Sequence, residues 1–221
     1  MYQNSYRPPT QFSVFPPVIK NLLILNGLLF FAKFAAIGTG GGFLAWLLNI
    51  MALYPPGGPD IGYTIFGTVG NIPGFWPWQL VTYGFLHGDI MHLVFNMFAL
   101  WMFGVQIENT WGSKRFGIYY FVCVIGAGLI QLAVMWGAPI PTLGASGGVF
   151  GILLAFGMMF PNQEIYLYFL FPIKAKYFVI GFGVLELWAA VSGTQAGVAN
   201  FAHLGGMLFG LLLILMMRTP G

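Results

Sequence analysis

Long apolar runs alternate with short segments rich in Gly, Pro and polar residues along the whole chain. Runs at 21–38, 79–104, 115–136, 146–160, 170–191 and 198–217 come close to the ~20 residues a helix needs to cross a bilayer core. The pattern predicts an all-α membrane protein, a bundle of six transmembrane helices in one domain at 21–217. A polar N-terminal tail precedes it at 1–20, and a short C-terminal end follows at 218–221. The fourth run is short for a full crossing and opens on a serine. Between the first two runs, 39–78 is rich in Gly and Pro yet carries Phe43, Trp46, Leu47, Leu48, Met51, Phe75, Trp76 and Trp78. Trp and Tyr favour the headgroup region, so this segment reads as a loop embedded in one leaflet. A seventh span at 43–54 fails on length.

Composition strengthens this picture. Only 6% of the 221 residues are charged and 58% are hydrophobic, with mean hydropathy +0.83, which excludes a soluble domain. The net charge of +3 comes from basic residues scattered singly or in pairs, so there is no nucleic-acid footprint. Arg7, Lys20, Lys114, Arg115, Lys174, Lys176 and Arg218 all fall on one side if six spans alternate, and the opposite loops contain no Lys or Arg. The positive-inside bias therefore puts both termini in the cytoplasm. Lys33, inside the first run, is expected to snorkel or to face the bundle interior. The first run lacks a small-residue cleavage site and reads as a signal-anchor. Cys123 is the single cysteine, so neither a disulfide framework nor a thiolate metal cluster is available.

Polar side chains inside spans are costly in lipid and mark function. The three histidines, His87, His92 and His203, all fall in or at the edge of predicted spans. His92 and Asn96 share one helical face, with His87 toward the outer end. Ser146, in Gly144-Ala-Ser146-Gly147, opens the fourth span, where first-turn N–H groups lack intrahelical partners and can receive an anion. Gly144 and Gly147 allow close approach, and Phe150 stands one turn on over the same face. Gly206 and Gly210 form a small-xxx-small pair after His203. Close packing of the fourth and sixth spans would set His203 opposite Ser146, as a Ser–His nucleophile requires. His92, Asn96 and the Ser146 amide would then serve the oxyanion.

His87-x4-His92-x3-Asn96, Gly144-x-Ser146-Gly147 and Ala202-His203-x2-Gly206-x3-Gly210 together resemble the rhomboid family of intramembrane serine proteases. The Trp78-Gln79 approach and Glu108 with Gly112 in the following turn support the likeness, which covers about 78–210. The resemblance implies a Ser146–His203 dyad with no third acid, an oxyanion site from His92, Asn96 and the Ser146 amide, and no cofactor. It also implies cleavage of transmembrane protein substrates near their outer ends. Phe150 stands where bacterial members often have Tyr; stacking on the histidine needs only the ring. The family's gate and cap would correspond to 170–191 and to a lid at 192–200.

Other acids are read differently. Asp89 reads as an interfacial residue and Glu108 as a structural acceptor in a cytoplasmic turn, while Glu186, in the fifth span, is left open between a hydrogen bond across the bundle and a part in a wet path to the site. Two alternatives use the same residues: an inactive relative that binds client helices, and a transporter with His87, His92 and His203 as metal or proton ligands. The absence of an inverted repeat and the unused Ser146 weigh against the transporter. The compact core suits a bacterial inner membrane with the site open to the outer side; oligomeric state leaves no mark on the sequence.

Overall fold

A computed structural model of the chain describes residues 12–38, 42–167, 170–192 and 197–218. Residues 1–11 of the tail, 193–196 of the expected lid and 219–221 lie outside the described residues. Helix α1 (Pro17–Gly38) is followed by the short α2 (Gly42–Asn49), the antiparallel hairpin β1 (Ile61–Tyr63) and β2 (Val69–Asn71), and a four-residue α3 (Gln79–Thr82). Then come α4 (Ile90–Trp111), α5 (Ser113–Val134), α6 (Ser146–Met159), a second hairpin of β3 (Glu164–Leu167) and β4 (Phe171–Lys174), α7 (Ala175–Val191) and α8 (Gly197–Arg218).

The all-α membrane class expected from the apolar runs holds. Among the described residues, four runs form helices long and apolar enough to cross a membrane: α1, α4, α5 and residues Asn200–Met217 of α8. The other two form shorter helices, 14 residues in α6 and 17 in α7. Several boundaries differ from the pattern for local reasons. Helix α1 begins at Pro17, inside the stretch read as tail, because proline is well suited to a first helical position. The second span does not begin at 79. After α3 and a 3₁₀ turn at Tyr83–Phe85 the chain becomes extended, and Asp89 restarts it as the N-cap of α4 by accepting a hydrogen bond from the His92 N–H at 2.9 Å. His87 therefore lies on the approach to α4 and not on a helix. The fifth run likewise starts as strand β4 and becomes helical only at Ala175.

Helix α6 sits at the centre, packed on α4, α5, α7 and α8. Glycines set these distances. A Cβ on Gly206 would run into the Gly147 carbonyl, one on Gly148 into Tyr120, one on Gly151 into Cys123 and one on Gly126 into Phe209. The outward faces of α1 and α7 remain apolar, with Leu28, Phe31, Phe34, Leu185 and Trp188 exposed, as lipid contact requires.

Residues 42–78, ahead of α3, form an ordered cap, while 39–41 of the expected loop lie outside the described residues. Leu48, Ala52, Tyr54 and Ile65 form a small second core with Ala36 and Leu86. Gln79 is fully buried and bonds four main-chain groups: its carbonyl accepts from Tyr54 N and Trp76 N, and its amide donates to Ile50 O and Gly74 O. Lys33 turns inward and donates to the carbonyls of Gly88 at 2.8 Å and His87 at 3.3 Å, which ties α1 to the turn before α4.

At the opposite end, Glu108 is 2% exposed and receives three donors. They are Val18 N–H and Ile19 N–H, both at 2.9 Å, and the Ser113 hydroxyl at 2.6 Å. The first-turn donors of α1, which have no partners within their own helix, end on the last turn of α4. This is the structural role expected of Glu108.

Candidate active site

Ser146 is the first residue of α6, and the segment before it is clamped from two sides. Leu53 and Thr142 exchange backbone hydrogen bonds at 3.0 and 2.8 Å, Tyr63 N–H donates to Pro139 O, and Gly144 N–H donates to Tyr83 O at 3.0 Å. The cap thus serves to hold the approach to the serine. Gly144 has φ +128°, a region side chains rarely adopt, and a Cβ there would lie 2.8 Å from His92 Nε2. Glycine is required at this position twice over.

Helix α8 enters alongside with Gly206 against the Gly147 carbonyl, and this contact brings the bases of both helices together. Ser146 Oγ lies 2.8 Å from His203 Nε2. Phe150 stacks on the imidazole, ring centroids 4.2 Å apart and 7° from parallel, so the ring alone performs the stacking expected at this position. Gly210, paired with Gly206 in the sequence reading, faces α5 instead: a Cβ there would meet Tyr119 and Cys123.

His92 and Asn96 line the same cavity as Ser146 and His203. The Gly88 N–H approaches His92 Nδ1 at 3.4 Å, and this makes Nδ1 the acceptor and leaves the proton on Nε2, the nitrogen beside Gly144. Asn96 donates to the His92 carbonyl at 2.8 Å and keeps a second amide hydrogen. The cavity measures about 450 Å³ and is otherwise apolar, walled by Phe95, Met102, Phe103, Val149, Leu153 and Phe178 among others.

His87 stands apart from the contact between Ser146 and His203. It is 2% exposed, its ring meets that of His92 edge-on at 4.9 Å, and neither of its nitrogens has a hydrogen-bond partner. The reading of three histidines as metal ligands is not borne out by the geometry. His203 Nε2 is turned to Ser146, and among the described residues no group of three His, Cys, Asp or Glu is placed to hold a metal ion.

Residues 75–220 match the family described as the Rhomboid domain. The chain belongs to the rhomboid family. It is 34% identical to RHOMBOID-like protein 4 of Arabidopsis thaliana over 169 residues, 74% of this chain and 38% of that one. Against the mitochondrial Rhomboid protein 1 of Saccharomyces cerevisiae the identity is 33%, covering 61% of this chain and 40% of the relative. Rhomboid protease GluP of Bacillus subtilis is also 33% identical, over 66% of this chain and 27% of its own length. The chain thus spans well under half the length of these curated relatives. Rhomboid membership and the apolar helices together make this an integral multi-pass membrane protein.

One contact of His203 in this rhomboid lies outside its pairing with Ser146. Glu186, on α7, places Oε2 3.0 Å from His203 Nδ1. A hydrogen bond across the bundle is one of the two readings open to Glu186, but no spacing rule relates positions on two separate helices, so its partner is not given by the pattern. The available signal was the carboxylate itself, inside an otherwise apolar run.

Proposed function

We propose that this rhomboid is an intramembrane serine endopeptidase that hydrolyses peptide bonds in or near the transmembrane segments of membrane proteins. The observation that carries the reading is the 2.8 Å contact of Ser146 Oγ with His203 Nε2, at the N-terminus of a buried helix beside an apolar cavity. His203 accepts the hydroxyl proton as Oγ attacks the carbonyl carbon. The oxyanion is received by the Ser146 amide, His92 Nε2–H and the free Asn96 amide hydrogen. His203 then returns the proton to the leaving amine, and water, activated by the same imidazole, releases the acyl group.

The 14 residues of α6 rise about 21 Å, against ~30 Å of hydrocarbon. The nucleophile at its head is therefore recessed and reached by water from one side. A substrate helix must unwind locally to present its carbonyl, which favours segments of weak helical propensity. The cavity accepts an apolar side chain. Lys20, Lys114, Arg115, Lys174, Lys176 and Arg218 lie at helix ends opposite Ser146, supporting cytoplasmic termini and an outward-facing site in a membrane of bacterial inner-membrane type.

Purified protein in detergent should cut a single-span test substrate, with Ser146→Ala and His203→Ala each lowering the rate by at least ~10³-fold while remaining folded, and chelator without effect. An inert wild type on several substrates, or activity retained in Ser146→Ala, would overturn the proposal.

A further inference from the structure

The carboxylate at the back of the histidine carries a role that the Ser–His pair leaves open. An imidazole that accepts a proton at Nε2 must hold its other proton at Nδ1, and it becomes a cation when the serine attacks. Glu186 Oε2 lies 3.0 Å from Nδ1, on the side of the ring away from Ser146. The approach is not aligned as a hydrogen bond, and neither atom has another hydrogen-bond partner. Both side chains are largely shielded, at 15% and 17% exposure for His203 and Glu186.

Two further contacts keep the carboxylate there. Asn200, one turn before His203 on α8, donates to the main-chain carbonyl of Glu186 at 3.3 Å. Phe182, one turn before Glu186 on α7, packs against Phe150, the ring stacked on His203. The groups facing His203 from the elements around it are Ser146 and Phe150 on α6, Glu186 on α7 and His92 across the cavity on α4. Among the described residues, Glu186 is the one acid of this set.

We propose that Glu186 is a positioning residue for His203: its carboxylate fixes the Nδ1–H tautomer and stabilises the imidazolium formed when Ser146 is deprotonated. The inference rests on the protease reading for its kinetic consequence, though not for its tautomeric one. The 3.0 Å contact closes into an aligned hydrogen bond as the ring gains charge. Nothing is transferred to the carboxylate; the proton shuttles between Ser146 Oγ, His203 Nε2 and the leaving group.

Glu186→Gln retains shape and removes charge. With [15N]histidine-labelled protein in detergent, and the His203 resonances assigned by difference with His203→Ala, wild type should show the Nδ1-protonated tautomer and Glu186→Gln a mixture. In steady-state cleavage, kcat should fall roughly 10- to 100-fold with KM within about twofold. Labelling of Ser146 by a small fluorophosphonate, which needs the base but no substrate helix, should slow by a similar factor. Glu186→Asp should recover part of both rates. An unchanged tautomer overturns the proposal, as does undiminished kcat in an active protein. A loss confined to KM also overturns it, since that marks a purely structural part for α7. A wild type with the Nδ1–H tautomer that neither cuts nor labels removes the protease reading and, with it, the kinetic role of Glu186, while the carboxylate's hold on the ring is read independently.

Discussion

Glu108 and Glu186 are two shielded carboxylates on helices of the same bundle, yet they are used in opposite ways. Glu108 has three donors within 2.9 Å, two from the backbone of α1 and one from Ser113. Among the described residues, Glu186 Oε2 has no hydrogen-bond partner and meets the Nδ1 of His203 at 3.0 Å, out of line. A carboxylate whose acceptor sites are filled by neutral donors is fixed in place, and any change there is a loss. A carboxylate with capacity left over beside a group that changes charge can strengthen its interaction at the moment of reaction. The contrast teaches that an acid in a membrane helix is better judged by how its oxygens are occupied than by its depth.

The comparison breaks most visibly at Glu108. Replacing it with Ala leaves the part-buried Val18 N–H and the buried Ile19 N–H without their acceptor and should lower unfolding stability by about 2–4 kcal/mol, read by denaturant titration in mixed micelles, with the activity per folded molecule unchanged. Glu186→Gln should move stability by less than ~1 kcal/mol while lowering turnover, and this opposite split is what separates the two roles. A smaller effect is expected at Asn200. Asn200→Ala frees the Glu186 carbonyl and should reduce kcat by only about two- to fivefold, and the loss should disappear in a Glu186→Gln background; independent, additive losses in the double-mutant cycle would contradict coupling through the carboxylate.

Asp89, a third and fully solvated carboxylate, gives the smallest effect. The His92 N–H bonded to it holds its carboxyl below the usual aspartate range. A depressed folded value means its contribution to the start of α4 is complete above the ordinary aspartate pKa of about 4 and is lost as pH falls through the lowered one. Wild type should melt slightly above Asp89→Ala near neutrality, and the two should converge in acid.

Much of the site could be read from spacing, because its parts lie on helices whose periodicity is strong. His92 and Asn96 are one turn apart, and Ser146 heads an apolar run flanked by glycines, so both signals are local. The meeting of Ser146 and His203 was reachable because glycine beside each predicts close helix approach. Three features lay beyond that reasoning. The break before α4 was hidden by the apolar Leu80, Val81, Phe85 and Leu86, although Gly88-Asp89 is a helix-start signal. The clamp on Gly144 depends on backbone groups of Tyr83, and the pairing of Leu53 with Thr142 joins segments far apart in sequence. Hydrophobic pattern carries no information about which main-chain groups pair across a loop. Glu186 was conspicuous as an acid in an apolar helix, but its partner is set by how α7 leans on α8, which is a matter of tertiary packing.

The contact between Gly206 and the Gly147 carbonyl has a bearing on how such a site tolerates change. Ser146 and His203 are borne on separate helices, and the gap between them is gauged by main chain touching main chain, with no side chain interposed. Backbone cannot repack in the way a leucine or methionine does, so the gauge has almost no slack. Substitutions on the lipid-facing surfaces of α1 or α7 can accumulate while the gap stays true, whereas one added methyl at the point of contact acts as a shim under the whole of α8. Evolutionary drift in this protein therefore has wide freedom around its perimeter and almost none along a line a single atom thick at its centre.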